Sequence, residues 1–344
     1  VSGPAALLAA ARGDRVFSAA AWSIGGADGP VDRGLLGTVS WGGAPVAEDS
    51  LWDLASVTKP IAAIAVLALV ERGVLGLGDT IGDHLPGYRG GDKAAVTVHQ
   101  LLTHASGLPG RTPLFWEHPD RGAWLDTMRT SPLPAPTGSR IEYSSQGFIL
   151  AGMIAEAASG TPLDRLVAEL VTGPLGMAST MFRPGPADRL RAVATEECAW
   201  RGHLVMGEVH DENAVVLDRA AGHAGLFSTL ADMERLGGAL AAGGGALLGA
   251  DAFARMASER VERGGQSWGL GWMRRDSMDS PAGCAIGPGS YGHTGFTGTS
   301  LWVDPDAGRY YVLLTNRVHP TRDNPAIVAL RRDFHTAAAG SGTG

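Results

Sequence analysis

Ser56-Val57-Thr58-Lys59, followed directly by Pro60 and the apolar run Ile61 to Val70, is the stretch on which the reading of this chain turns. Residues three apart on a helix are neighbours, so a helix beginning here sets the serine hydroxyl beside the lysine ammonium. If burial lowers the lysine pKa, the amine accepts the serine proton and turns a weak nucleophile into a useful one. The plainer reading is a helix start, with Ser56 as N-cap and Pro60 tolerated in the first turn. Both readings place a helix from about Ser56 to Arg72. Lysine is rare here: of the 28 Lys and Arg residues, only Lys59 and Lys93 are lysines. A Ser-x-x-Lys pair is still a weak motif and needs partners elsewhere.

The chain of 344 residues is long enough for one large domain or two modest ones, with a sizeable core. A net charge of −7 without a basic cluster argues against nucleic acid and anionic membrane as partners. Cys198 and Cys284 are isolated, which implies neither a disulfide framework nor a zinc site. No segment reaches membrane-spanning length. The Ala5 to Ala11 run has no basic residue before it and ends at Arg12. It reads as a short amphipathic helix and not a signal peptide, which makes a cytoplasmic location the expectation.

Along the chain, residues 3–13 suit a helix, and Arg15 to Ile24 and Leu35 to Trp41 suit strands joined by a Gly/Asp-rich turn. A short helix capped by Thr97 covers Val96 to Leu102. Helical patterns follow over Phe148–Ala158, Pro162–Leu170, Ala231–Ala242 and Ala250–Glu259. Ser267–Met273, Thr299–Asp304 and Tyr310–Leu314 read as strands, and Asn324–Ala337 as a closing helix. Strands at both ends and helices between them suggest a single sheet built from the two ends, with a helical insertion.

Two further stretches could carry chemistry. Tyr143-Ser144-Ser145 lies on a turn before a helix, and a phenol near a cation can ionise below its usual 10 and act as a base. Gly292-His293-Thr294-Gly295-Phe296-Thr297-Gly298 is a glycine-rich turn leading into the strand that holds Leu301-Trp302-Val303. Glycines let a ligand approach such a strand closely. A backbone N–H from that edge, with one from a nucleophile at a helix start, can make an oxyanion hole.

Ser56-x-x-Lys59, Tyr143-x-Ser145 and His293-Thr294-Gly295, in this order and spacing, resemble the three motifs of serine β-lactamase-like and penicillin-binding-protein-like enzymes. The tyrosine form is similar to the class C branch, which also holds esterases, D-amino-acid peptidases and transacylases. Leu101 to Pro109, Gly173 to Met177 and Gly222 to Thr229 support the likeness, which runs from about residue 15 to residue 330. The resemblance implies an α/β (α+β) fold with a mostly antiparallel sheet, helices on its faces and the active site at the junction. It implies one domain over 1–344, with an α/β part at 1–72 plus 230–338, a mainly helical insertion at 73–229 and a flexible tail at 339–344.

The resemblance also implies roles. Ser56 is the nucleophile, Lys59 its proton partner, and Tyr143 the base that relays the proton to the leaving group. The backbone N–H groups of Ser56 and Phe296 form the oxyanion hole, and His293 polarises the site or orients the substrate. Ser145, Thr294, Gly295, Trp116, Asp211 and Asn213 are expected to touch substrate. The chain departs from the usual Tyr-x-Asn and Lys-Thr-Gly at Ser145 and His293, which weakens the case for penicillin hydrolysis and suits an ester. The expected reaction is acyl transfer from a small-molecule acyl donor through an acyl-Ser56 ester, without metal or organic cofactor. Water, or a small-molecule amine or alcohol acceptor, completes it. A β-lactamase, a D-amino-acid peptidase and a non-catalytic binding relative are further alternatives. Gly265-Gln266-Ser267-Trp268-Gly269 matches a nucleophile elbow, but the residues after Ser267 read as strand and not as the required helix.

Overall fold

The structure is a computed structural model that describes residues 3–277 and 280–340. Its centre is one antiparallel sheet whose eight strands come from the two ends of the chain. They are β1 (Ala19–Gly26), β2 (Gly29–Gly37), β3 (Val261–Arg263), β4 (Gln266–Trp268), β5 (Met273–Arg274), β6 (Tyr291–Thr294), β7 (Ser300–Asp304) and β8 (Arg309–Thr315). Their spatial order is β2-β1-β8-β7-β6-β5-β4-β3. The N-terminal hairpin thus docks on the last strand, with Ala20 opposite Thr315 and Trp22 opposite Leu313.

Both faces of this sheet are covered, and the period-2 alternation of strands shows how. In β8, Tyr310, Val312 and Leu314 enter the main core, while Tyr311 and Leu313 enter a second core. The second core lies under helices α1 (Pro4–Gly13) and α5 (Ile327–Gly340), through Leu8, Phe17, Trp302 and Phe334. On the main-core face lies helix α4 (Leu230–Ala241), where a Cβ on Gly237 would stand 2.6 Å from the Tyr310 ring. Glycine there allows the helix to seat against the sheet.

Helix α2 (Thr58–Glu71) is apolar on every side, and a helix of that kind must be enclosed. It runs through the main core against helix α3 (Ser145–Ser159) and the helices Leu163–Val167 and Ala250–Ser258. Among the described residues no helix is long and apolar enough to cross a membrane.

Several boundaries differ from the sequence expectation. The second strand begins at Gly29, so the hairpin turn is tighter than the composition suggested. Ser267–Met273 is not one strand: the chain reverses at Gly269–Gly271, where Gly271 has φ +89°, and β4 and β5 pair with each other. Gly292 to Thr294, read as the start of the glycine-rich turn, belong instead to the strand Tyr291–Thr294 between β5 and β7. The 73–229 region also carries the hairpin Ala194–Cys198/His203–Met206 and the strand Met181–Phe182. Residues 339 and 340 belong to α5, and 341–344 lie outside the described residues.

Candidate active site

Ser56 lies in a tight 3-10 turn, Ala55–Val57, that runs directly into α2. Ala55 has φ +46°, a left-handed conformation that is costly for a residue with a side chain. Asp53 holds it there. One carboxylate oxygen accepts the Ala55 N–H at 2.7 Å, and the other accepts the His210 N–H at 2.7 Å. Burial outweighs these donors and pushes the Asp53 carboxyl up.

One helical turn on, Lys59 Nζ is 3.0 Å from Ser56 Oγ and donates to the His223 carbonyl oxygen at 3.0 Å. The lysine is fully buried, and burial lowers it to about 7 against the opposing charge of Asp211. At neutral pH a large share of the amine is therefore free base. Asp211 caps the helix Glu212–Leu217 through the Ala214 N–H and meets His223 Nε2 at 2.9 Å. Burial opposes its charge, yet His223 and the amide donor keep the carboxyl well below the usual range.

Tyr143 immediately precedes Ser144, the N-cap of α3. Ser56 lies beside its hydroxyl, and Lys59 Nζ stands 4.8 Å from its ring centroid. Tyr143 is 39 % exposed towards the cleft, and desolvation at its place still pushes the phenol above its ordinary 10. In the sequence reading a nearby cation eases ionisation of this phenol, and the shift here runs in the opposite direction. Desolvation is the larger effect. His104 supports the ring from behind as a loop hydrogen-bonder: Nδ1 accepts the Ser144 N–H at 3.0 Å, and the two rings lie 4.7 Å apart.

His293, on β6, is buried, and its Nδ1–H donates to the Thr294 carbonyl at 2.8 Å. Burial and the neighbouring Lys59 push the imidazole down to about 3, so it is neutral at physiological pH. It does not carry the charge that a lysine would bring to the third motif. A neutral imidazole offers a hydrogen-bonding nitrogen in place of that charge.

Two arms of one cleft meet at Ser56, Tyr143 and Phe296. One arm is lined by Ser145, Asp211, Asn213, Arg111 and Phe115. The other is lined by Trp268, Met273, His293, Thr294, Gly295 and Val328. Asn213 is already engaged, since its amide accepts from Trp124 Nε1 at 2.9 Å and donates to the Thr112 carbonyl at 3.2 Å. Trp116, expected to touch substrate, is 62 % exposed and packs on Phe115, and it is Phe115 that lines the cleft. Ser267 is a buried strand residue outside the cleft lining, and no helix follows it.

Sequence reasoning passed over Asp53, Trp268 and the His223 carbonyl. Asp53 accepts the N–H two residues on, an Asx turn whose signal is an Asp just before a helix start. The carbonyl, being backbone, had no signal at all.

A family model described as Beta-lactamase matches residues 3–335. The chain belongs to the beta-lactamase family. This family comprises serine hydrolases and acyltransferases on one fold. A relative from Escherichia coli (strain K12), named "Putative D-alanyl-D-alanine carboxypeptidase", is 30% identical over 314 residues, covering 80% of this chain and 71% of its own. Among solved structures, simvastatin synthase (LovD) from Aspergillus terreus superposes with TM-score 0.80 at 21% identity, over 100% of both chains. EstCE1, described as a hydrolase with promiscuous acyltransferase activity, gives TM-score 0.78 at 21% identity over 97% of each chain. A penicillin-binding-protein homologue from Caulobacter crescentus gives 0.79 at 22% identity, over 98% of this chain and 96% of its own. At these identities the structural likeness speaks for the beta-lactamase fold.

Proposed function

We propose that this beta-lactamase family member is a serine acyl-enzyme hydrolase acting on a carboxylic ester, with Ser56, Lys59 and Tyr143 as its catalytic residues. The observation that carries this reading is the buried Lys59 amine, lowered to about 7 and 3.0 Å from Ser56 Oγ. Free-base Lys59 takes the Ser56 proton as Oγ attacks the ester carbonyl carbon. The oxyanion is received by the backbone N–H groups of Ser56 and Phe296. The bond to the leaving alcohol then breaks as the Tyr143 hydroxyl gives up its proton to that oxygen, and Tyr143 recovers one from the Lys59 ammonium. Water attacks acyl-Ser56, and the free acid leaves.

An ester is favoured over a peptide or β-lactam because neutral His293 offers no charge to a substrate carboxylate. The name of the Escherichia coli relative points the other way, to D-alanyl peptides, and makes them the first competing substrate to test. The two-armed cleft favours a second reading, in which an amine or alcohol occupies one arm and receives the acyl group in place of water.

Intact mass after incubation with activated esters, a D-alanyl-D-alanine peptide and a β-lactam tests these readings, with Ser56→Ala as control. An ester-derived adduct on the wild type, missing from Ser56→Ala, is expected. No adduct with any probe, or an unchanged adduct in Ser56→Ala, overturns the assignment. Amines added to the same reactions separate transfer from hydrolysis by the product formed.

A further inference from the structure

Ser56 and Phe296 lie on segments remote in sequence, so the gap between their N–H groups must be set by contacts between those segments. Among the described residues two side-chain hydrogen bonds join the turn after β6 to the segment 53–57. Thr297 Oγ1 donates to the Asp53 carbonyl at 2.8 Å, and Thr299 Oγ1 donates to the Leu54 carbonyl at 2.9 Å. Both hydroxyls are buried, on residues 1% and 0% exposed. The two acceptors are consecutive carbonyls that lead into the strained Ala55 and then Ser56.

The turn itself is braced against the sheet. Gly295 N–H donates to the Thr299 carbonyl at 2.8 Å, and Thr315 Oγ1 donates to the Gly298 carbonyl at 2.9 Å. Arg331, buried on α5, donates to the carbonyls of Gly295 and Thr299. Because C=O and N–H point oppositely across a trans peptide, holding the Gly295 carbonyl towards α5 turns the Phe296 N–H away from it. A Cβ on Gly295 would stand 2.4 Å from the Leu54 carbonyl oxygen and 2.1 Å from Thr299 Oγ1. Glycine there lets the turn approach the nucleophile's segment closely enough for both threonines to reach.

We propose that Thr297 and Thr299 are positioning residues that fix the separation of the Ser56 and Phe296 N–H groups. The inference rests on the reading of Ser56 as nucleophile with these two amides as oxyanion donors. Neither threonine touches substrate, and their effect passes through the backbone. A donor must hold its place to within about 0.5 Å to serve a developing oxyanion. Releasing either clamp therefore slows acylation and leaves initial binding unchanged, because the tetrahedral oxyanion forms only in the transition state.

The test compares Thr297→Val and Thr299→Val with Thr297→Ser and Thr299→Ser. Pre-steady-state acylation by an activated ester, affinity for a phosphonate transition-state analogue, and Tm are measured on each. Each valine variant is expected to slow acylation roughly 10- to 100-fold and weaken the analogue in parallel, with the initial binding constant within about twofold. The serine variants, which keep the hydroxyl, are expected to stay within about threefold of wild type. If a valine variant does not fold, the alanine variant replaces it with the same expectation. Valine or alanine variants that acylate at the wild-type rate overturn the proposal. So do serine variants as slow as valine ones, since the loss then follows packing and not the hydroxyl. If the unmutated protein is not acylated at Ser56, the underlying reading fails first, visibly and before any threonine is changed.

Discussion

Asp53 Oδ1 accepts the backbone N–H of Ala55 at 2.7 Å, one residue before the candidate nucleophile, and so holds Ala55 in its left-handed turn. Its second oxygen reaches the His210 N–H at 2.7 Å, next to Asp211, so one buried carboxylate joins the Ser56 turn to the cleft wall. Asp53→Asn keeps the shape but replaces one acceptor with a donor that faces an N–H. That variant should lose roughly 1–3 kcal/mol of stability and at least about tenfold in acylation rate. Chemical denaturation together with burst kinetics checks both. A variant with wild-type acylation would show that the Ala55 conformation does not depend on this carboxylate.

The pH dependence follows from Lys59. Because burial lowers its pKa from 10.5 to about 7, the free base needed to take the Ser56 proton appears as pH rises through that value. The acylation rate constant should climb about tenfold per pH unit below about 7 and level off above it. Tyr143, pushed above 10, adds no second inflection between pH 5 and 9. A pH–rate profile with an activated ester decides this; a flat or falling profile over that range contradicts Lys59 as base.

The same shift bears on stability. A lysine with a lowered folded-state pKa binds fewer protons in the folded than in the unfolded chain between about 7 and 10.5. Stability therefore gains from this group as pH rises through that window, and the burial penalty is complete below about 7. Lys59→Met removes the penalty, so it should raise Tm more at pH 6 than at pH 9. Equal shifts at the two pH values would show that the buried amine is not the cause.

Tyr143→Phe removes the proton delivered to the leaving oxygen. Alkyl esters, whose alkoxides leave poorly, should slow about 100- to 10,000-fold, while nitrophenyl esters slow far less. The ratio of the two rates across leaving groups is the measurement. Equal losses for both would assign Tyr143 to positioning alone.

His293→Lys tests the neutral third motif. A cation at this place should raise kcat/KM for acyl donors bearing a carboxylate by about tenfold relative to neutral esters. An unchanged preference would mean that this nitrogen does not face the substrate.

Much of the fold was legible in the sequence because its signals are local. The apolar Ile61–Val70 run, the Thr97 cap and the short aromatic and apolar run Tyr310–Leu314 each report an element from nearest neighbours alone. The one-strand reading of Ser267–Met273 failed because the reversal depends on Gly271 at φ +89°, a conformation that composition permits but does not require. Tyr291–Thr294 was hidden since glycine and histidine suit a turn as well as a strand, and pairing with β5 and β7 made it a strand.

For the candidate site, the sequence by itself determined which groups are present: a serine and lysine on one helical face, a tyrosine before a helix, and a histidine where a lysine is usual. The direction in which each pKa moves follows only from the tertiary structure. Burial lowers the Lys59 amine, raises the Tyr143 phenol and lowers the His293 imidazole, because the cost of charge depends on the surrounding dielectric and not on spacing along the chain. The same holds for the distance between Ser56 and Phe296, which two threonine hydroxyls and one glycine set across segments that meet only when the sheet closes.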